Sequence, residues 1–156
     1  MSKSWMQLRK LGLVLPLVAF AFGATAVAQD RVDKVSSKDF STTTKQVETA
    51  IKKRAAMIVA TVDHQNMLRM VGASIKGAKT IEFGKPDMMK MLIPEHPEIA
   101  LEMPLRIYIF ERSDGKTVVS YRKVSGYFAS YGNDQLKQAG QMMDMMLEQI
   151  AAEAAQ

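Results

Sequence analysis

Methionine is the residue whose abundance and spacing most suggest chemistry in this chain. The 156 residues include 13 methionines, two histidines and no cysteine. Thioether sulfurs are soft, uncharged ligands that suit Cu(I), and unlike thiols they form no disulfides in an oxidising compartment. Beyond Met1 and Met6, nine of the other eleven methionines fall in three clusters, which are Met67 with Met70, then Met88, Met89 and Met91, then Met142, Met143, Met145 and Met146.

The candidate metal ligands are His64, Met67 and Met70, which would bind Cu(I), with Met88, Met89 and Met91 as further donors. Positions i, i+3 and i+6 drift by about 120° around an α-helix, so the first three ligands converge only in a turn or a 3₁₀ segment. Two other interpretations stay open. Methionine also fills irregular gaps in small cores, and it lines surfaces that bind a partner or an apolar ligand.

Groups for catalysis are sparse. The chain has no cysteine, and its serines lack a neighbouring histidine–acid pattern, so nucleophilic catalysis has little support. The nearest acid–base set is Asp63, His64 and Glu82, yet adjacent residues on a strand point to opposite faces, so Asp63 and His64 form no natural dyad. We therefore expect a non-enzymatic protein without catalytic residues and without a cofactor other than Cu(I).

The N-terminus has the organisation of an export signal. Lys3, Arg9 and Lys10 precede an apolar run at residues 11–22, which leads to Ala26-Val27-Ala28. This order predicts a signal peptide at 1–28 that is cleaved after Ala28. The alternative is a retained anchor, because the uncharged stretch approaches the ~20 residues that span a bilayer. We expect a periplasmic or secreted protein that has no membrane contact after cleavage.

The charge of the mature chain argues against nucleic-acid binding. The formal net charge is +5, but three of the 21 basic residues and none of the 16 acidic residues precede Ala28. The remainder therefore carries only +2, and its longest basic run is Lys52-Lys53-Arg54. Nucleic-acid partners usually require a strong basic patch.

Periodicity predicts a single α+β domain at residues 41–156, after a flexible segment at 29–40 that leads into at most a short strand. A first helix is expected at 42–54, capped by the hydroxyls of residues 41–44. The continuous apolar run at 57–62 predicts a buried central strand, and a second strand follows at 79–83. Asn133 begins a C-terminal amphipathic helix at 133–151, beyond which the chain should fray.

A β-hairpin is predicted where Asp114-Gly115 separates apolar segments at 105–111 and 117–122. A loop of two or four residues places Phe110 opposite Val119 and Tyr108 opposite Tyr121, on one face. The other face then carries a second apolar set, which comprises Leu105, Ile107, Ile109 and Val118.

An antiparallel hairpin usually exposes one face to solvent, so a hairpin with two apolar faces needs something packed on each of them. Helices supply the first covering. The second is a further helix of the chain, a symmetry-related subunit or a ligand. The predicted interface or ligand surface is therefore Tyr108, Phe110, Val119 and Tyr121.

Several short motifs together resemble the domain-of-unknown-function 302 family (DUF302). They span residues 47–132, in the order Val62-Asp63-His64, Ile81-Glu82-Phe83-Gly84-Lys85-Pro86, Met103-Pro104-Leu105-Arg106, Asp114-Gly115-Lys116 and Ser120-Tyr121. The resemblance implies an α+β fold, with an antiparallel sheet, helices on one face and the order β-α-β(4)-α. It also implies a homodimer, and it implies no established chemistry.

The sequence thus predicts an exported, non-enzymatic binding or interaction domain that forms a homodimer or holds a small apolar ligand. The alternative is a periplasmic protein that binds Cu(I) or another soft metal through methionine and histidine.

Overall fold

The computed structural model describes residues 31–156, so the predicted signal peptide at 1–28 lies outside the described residues. These residues form five strands, five α-helices and one 3₁₀ helix at Pro97–Glu102. Within the described residues, no helix is both long enough and apolar enough to cross a bilayer. The elements are β1 (Arg31–Val35), α1 (Phe40–Lys53), β2 (Met57–Asp63), α2 (His64–Met70), β3 (Ala78–Gly84), α3 (Pro86–Leu92), β4 (Leu105–Glu111), β5 (Thr117–Arg122), α4 (Ser125–Ser130) and α5 (Asp134–Ala155).

The strands form one antiparallel sheet in the order β1-β5-β4-β3-β2. Helices α1 and α5 pack together and cover one face of it, which we call the covered face. The opposite side is called the open face. The predicted α+β class and the order β-α-β(4)-α are confirmed, with α2, α3, the 3₁₀ helix and α4 as short insertions.

The core lies between the covered face and the two long helices. Alternate residues of the central strands point into it because successive strand side chains alternate between faces. The helices contribute residues at helical spacing, since i, i+3, i+4 and i+7 share one stripe. Fully buried core residues include Ile81, Phe83, Ile107, Ile109, Val119, Val47, Ile51, Leu136, Leu147 and Ile150.

The hairpin between β4 and β5 is present, but its predicted register is wrong by one residue. Its turn is a three-residue loop, in which the Gly115 amide donates to the Arg112 carbonyl and the Arg112 amide donates to the Lys116 carbonyl. Gly115 has φ of +82°, as expected for the third residue of such a loop. Phe110 therefore lies opposite Val118, and Tyr108 lies opposite Ser120.

The one-residue shift moves every β5 side chain to the other face. Val119 and Tyr121 join Ile107 and Ile109 on the covered face, whereas Val118 joins Tyr108 and Phe110 on the open face. The prediction that Val119 and Tyr121 share a face with Tyr108 and Phe110 was thus wrong. Asp-Gly indicates a hairpin, but it does not distinguish an odd loop from an even one.

Strand β2 is an edge strand, so the prediction of a buried central strand was wrong. It pairs only with β3, and the register shifts between Ile58 and Ala60. Val59 therefore has no partner on β3 and is 61% exposed. A continuous apolar run is typical of burial on both faces, but here it combines a core-packed Ile58 with outward-facing residues.

The terminal elements also differ from their predicted bounds. The short strand allowed for after the flexible start is present as β1 at residues 31–35, and it pairs with β5 through its whole length. Helix α1 begins at Phe40 because Asp39 caps it, accepting a hydrogen bond from the Thr42 amide at 2.9 Å. Helix α5 continues past residue 151 to Ala155, since Ala151 and Ala154 are buried in the core.

Replacing Gly115 tests the loop that sets the register. An added Cβ meets no atom within 4 Å, so Gly115→Ala changes only the cost of the left-handed backbone. We expect it to lower the free energy of unfolding by about 1 kcal/mol. Gly115→Asn should lower the free energy of unfolding by less, because asparagine tolerates the left-handed backbone conformation. Urea unfolding measures both, and an alanine variant as stable as the wild type would contradict the loop assignment.

Candidate functional site

An apolar groove lies between α3 and α5, and we call it the methionine groove. Its volume is about 620 Å³. Gln135, Gln138 and Gln149 lie along its α5 side, and Arg54 and Lys85 add two cations. Its thioether-bearing residues are Met88 and Met91 from α3 and Met142, Met145 and Met146 from α5.

The geometry of the two helices explains why five methionines meet in this groove. Pro86 occupies the first turn of α3, where its missing N–H costs no hydrogen bond. Met88 and Met91, three residues apart, then face the same side. On α5, Met142 and Met145 lie beside the core stripe, whereas Met143 lies within it and is buried.

The groove methionines are open to solvent to an unusual degree for such apolar side chains. Met91, Met142 and Met145 are 64%, 51% and 58% exposed. Met88 and Met146 are partly buried and rest on the core. The groove thus has a fixed apolar floor and flexible thioether walls. Such walls adapt to ligands of different shape.

The residues predicted as metal ligands, His64, Met67 and Met70, lie on α2 and not in the methionine groove. The segment is an α-helix, not the turn or 3₁₀ helix that their convergence requires. The His64 Nε2 atom lies 2.8 Å from the Thr80 hydroxyl oxygen, so the imidazole already has a partner. Met67 and Met70 are 55% and 79% exposed. The structure therefore does not bring these three side chains together.

The predicted interface residues Tyr108 and Phe110 belong to a stack of rings on the open face, which we call the aromatic ladder. Their ring centroids are 5.0 Å apart, with an interplanar angle of 13°. The Arg31 guanidinium carbon lies 5.9 Å from the Phe110 centroid. At the other end, the His64 ring meets Tyr108 edge-on at 5.8 Å.

The aromatic ladder shields part of the open face from solvent. Ala78 and Val118, the register neighbours of Phe110 on its two sides, are buried. Stacked rings and an arginine stem exclude water from small apolar neighbours. Side chains of the sheet itself thus cover Ala78 and Val118, whereas Tyr108 remains partly exposed.

The other two predicted interface residues, Val119 and Tyr121, are buried on the covered face. The Tyr121 hydroxyl donates a 2.6 Å hydrogen bond to the Glu148 carboxylate of α5. Burial first, and then the bond to Glu148, raise the pKa of Tyr121 above its ordinary value. Hydrogen bonds from Lys34 and Tyr121 lower the pKa of Glu148. Tyr121 therefore ties the sheet to the helix.

The acid–base set is also dispersed. Asp63 caps α2 by accepting from the Asn66 amide, and this bond, followed by the charge of Lys79, lowers its pKa. Glu82 pairs in register with Arg106 on the open face. Among residues 31–156, no group of three histidine or carboxylate side chains is placed to hold a metal ion.

Sequence reasoning missed the methionine groove as a single site. The signal was available on α5 alone, because Met142, Met145 and Gln149 form a stripe that is offset from the buried one. That stripe predicts a second contact surface. Its convergence with α3 could not be predicted, since residues 93–133 separate the two helices.

The chain resembles known proteins in its family and in its fold. The family model described as "Domain of unknown function DUF302" matches residues 32–154. The crystal structure of an uncharacterized conserved DUF302 protein from Bacillus stearothermophilus is similar, with a TM-score of 0.74 and 13% sequence identity over 83% of this chain and 100% of that chain. At this identity the likeness shows the fold alone. No curated protein matches the chain.

The Tyr121–Glu148 hydrogen bond should stabilise the fold in a pH-dependent way. Tyr121→Phe is expected to lower the free energy of unfolding by about 1 kcal/mol at pH 7. The lowered pKa of Glu148 means that its stabilisation is present above the ordinary value of 4.5 and is lost as the pH falls through the folded-state pKa.

Urea unfolding of wild type and Tyr121→Phe at neutral pH and near pH 3 measures this effect. The difference in the free energy of unfolding between the two proteins should be smaller near pH 3 than at neutral pH. Tyr127→Phe is the matched control, because the Tyr127 ring is half-exposed, and it should leave stability unchanged at both pH values. A difference that is constant with pH would contradict the role of Glu148.

Proposed function

The chain belongs to the family described as domain of unknown function DUF302, and we propose that it is an exported, non-enzymatic binding domain that holds a small apolar ligand in the methionine groove. One observation carries the proposal, namely that methionines from two distant parts of the sequence line one groove. Its volume of about 620 Å³ falls in the range typical of small-molecule sites.

The composition of the methionine groove favours an apolar ligand with few polar groups. The thioether walls offer polarizable contact without charge. Gln135, Gln138 and Gln149 provide amide donors and acceptors along α5. Such a site orients a ligand through a few hydrogen bonds and gains most of its affinity from apolar burial.

A second candidate is binding of Cu(I) or another soft metal at the same place. The specific observation that favours it is the presence of five thioethers in one groove of a cysteine-free chain. Thioethers select Cu(I) over harder ions. In this second candidate function, the metal ligands are the groove methionines instead of His64, Met67 and Met70.

A neutral apolar dye such as Nile red tests the first candidate. We expect it to bind the purified protein, and Met142→Gln with Met145→Gln should weaken binding at least about ten-fold through lost apolar contact. Glutamine keeps the helix propensity of methionine, so the fold should persist. The control is Met67→Gln with Met70→Gln, exposed methionines on α2 outside the groove. Equal binding by both pairs would contradict the site.

The same positions separate the two candidates when they are changed to leucine. Met142→Leu with Met145→Leu removes both sulfurs and keeps the apolar surface. For an apolar ligand, Nile red binding survives. For a metal site, Cu(I) affinity falls in a chelator competition under reducing conditions, whereas His64→Ala with Met67→Ala leaves it unchanged. If Cu(I) affinity is lost only in the His64→Ala with Met67→Ala variant, the metal ligands are those of α2 and not those of the groove.

We also propose that two copies associate through the edge of β2. An unpaired strand edge offers backbone hydrogen-bonding groups to a second chain. Met57 and Val59 add exposed apolar surface at this edge. The opposite edge, β1, carries more charge, with Arg31, Asp33 and Lys34 among its five residues.

Native mass spectrometry of protein purified from the exporting cell tests cleavage and assembly together. We expect a species of two chains, each beginning at Gln29. Val59→Lys should give single chains, because a buried lysine carries a large desolvation cost. Val35→Lys, on the β1 edge, should stay a dimer. A strictly monomeric wild type would contradict the homodimer, and an intact leader would contradict export with cleavage.

A further inference from the structure

Three arginines lie side by side on the open face, one on each of three neighbouring strands. Arg31 of β1 and Arg122 of β5 are directly opposite in the register. Ile107 of β4 pairs with Tyr121 of β5, so Arg106 and Arg122 occupy the next step along these two strands. The three positions form a row across β1, β5 and β4.

This arrangement has an electrostatic cost, because like charges on directly opposed strand residues destabilise a sheet. Arg31 is balanced by Asp33, at 2.9 Å, and also donates to the Ser120 hydroxyl at 3.1 Å. In the described part of the chain, Arg106 and Arg122 form no ion pair within 4.0 Å. Both are exposed, so two guanidinium groups remain available for an anion.

The arginine row forms part of the floor of a cleft of about 750 Å³, which we call the arginine cleft. Strongly exposed Leu101 and half-exposed Tyr127 lie at its wall, and Tyr108 of the aromatic ladder lies on its floor. The cleft therefore offers cations beside apolar and aromatic surface.

The charges of the arginine cleft limit the kind of anion that it can hold. Glu82 and Glu102 line it together with the three arginines, and Arg31 is already paired with Asp33, so the cleft has no large excess of positive charge. A polyanion such as a nucleic acid would meet both carboxylates. A ligand with one anionic group can contact Arg106 and Arg122 without that penalty.

We propose that the arginine cleft binds an aromatic carboxylate. The planar guanidinium groups of Arg106 and Arg122 match a carboxylate in geometry and can donate two parallel hydrogen bonds to it. The ring of the ligand packs against Tyr127 and Leu101, where exposed apolar surface otherwise has no partner. The site is separate from the methionine groove, which lies on the helical side of the sheet.

Titration calorimetry with 2-naphthoate tests this site on protein purified from the exporting cell. We expect binding that weakens with added salt, since exposed charges are screened. Acetate lacks the ring and 2-naphthamide lacks the charge, so both should bind at least about ten-fold more weakly. Naphthamide binding as tight as naphthoate would overturn the proposal.

Arginine variants locate the site. Arg106→Gln and Arg122→Gln should each weaken naphthoate binding about ten-fold, the usual effect of losing one charged hydrogen-bonding partner. Arg69→Gln is the matched control, an exposed arginine on α2 outside the cleft, and should leave binding unchanged.

A groove variant separates the two sites. Met142→Gln with Met145→Gln should also leave naphthoate affinity unchanged. Binding lost in the methionine variant and kept in the arginine variants would overturn the arginine cleft and assign the dye and the naphthoate to one groove.

Discussion

The left-handed residue in the β4–β5 turn is the constraint on which both faces of the sheet depend. Because Gly115 closes a three-residue loop, Val119 and Tyr121 enter the core. Ser120 and Arg122 then face the open side. A loop of even length would place Tyr121 beside Tyr108 and leave Glu148 without its tyrosine donor. One backbone conformation thus determines how the sheet joins α5 and which charges its other face displays.

Much of the fold could be predicted from the sequence because it rests on local signals. Periodicity located both long helices, and Asp114-Gly115 located the hairpin. The short motifs indicated the family and its order of elements. The predictions that were wrong concern features that depend on contacts between residues far apart in the sequence. The neighbours of β2 are decided by the whole sheet, and β1 is ordered by pairing with β5, although Val32 and Val35 are its only apolar residues.

The candidate sites were less predictable for the same reason. The methionine clusters were visible in the sequence, but the spacing of His64, Met67 and Met70 gave no indication that methionines of α3 and α5 line one groove. Chain topology instead brings α3 beside α5. The arginine row was invisible, because Arg31, Arg106 and Arg122 are far apart in sequence and adjacent only through strand order. The two proposed sites lie on opposite sides of the sheet, so occupancy of one does not block the other.

The exposure of the groove methionines makes them accessible to an oxidant. Methionine sulfoxide is polar and chiral, so oxidation of Met91, Met142 and Met145 would turn an apolar groove into a hydrophilic one. Met143, on the same helix and only 2% exposed, is shielded by the core. Mild peroxide would therefore remove the apolar character on which the proposed binding depends while the fold stays intact, and repair would require a sulfoxide reductase in the same compartment.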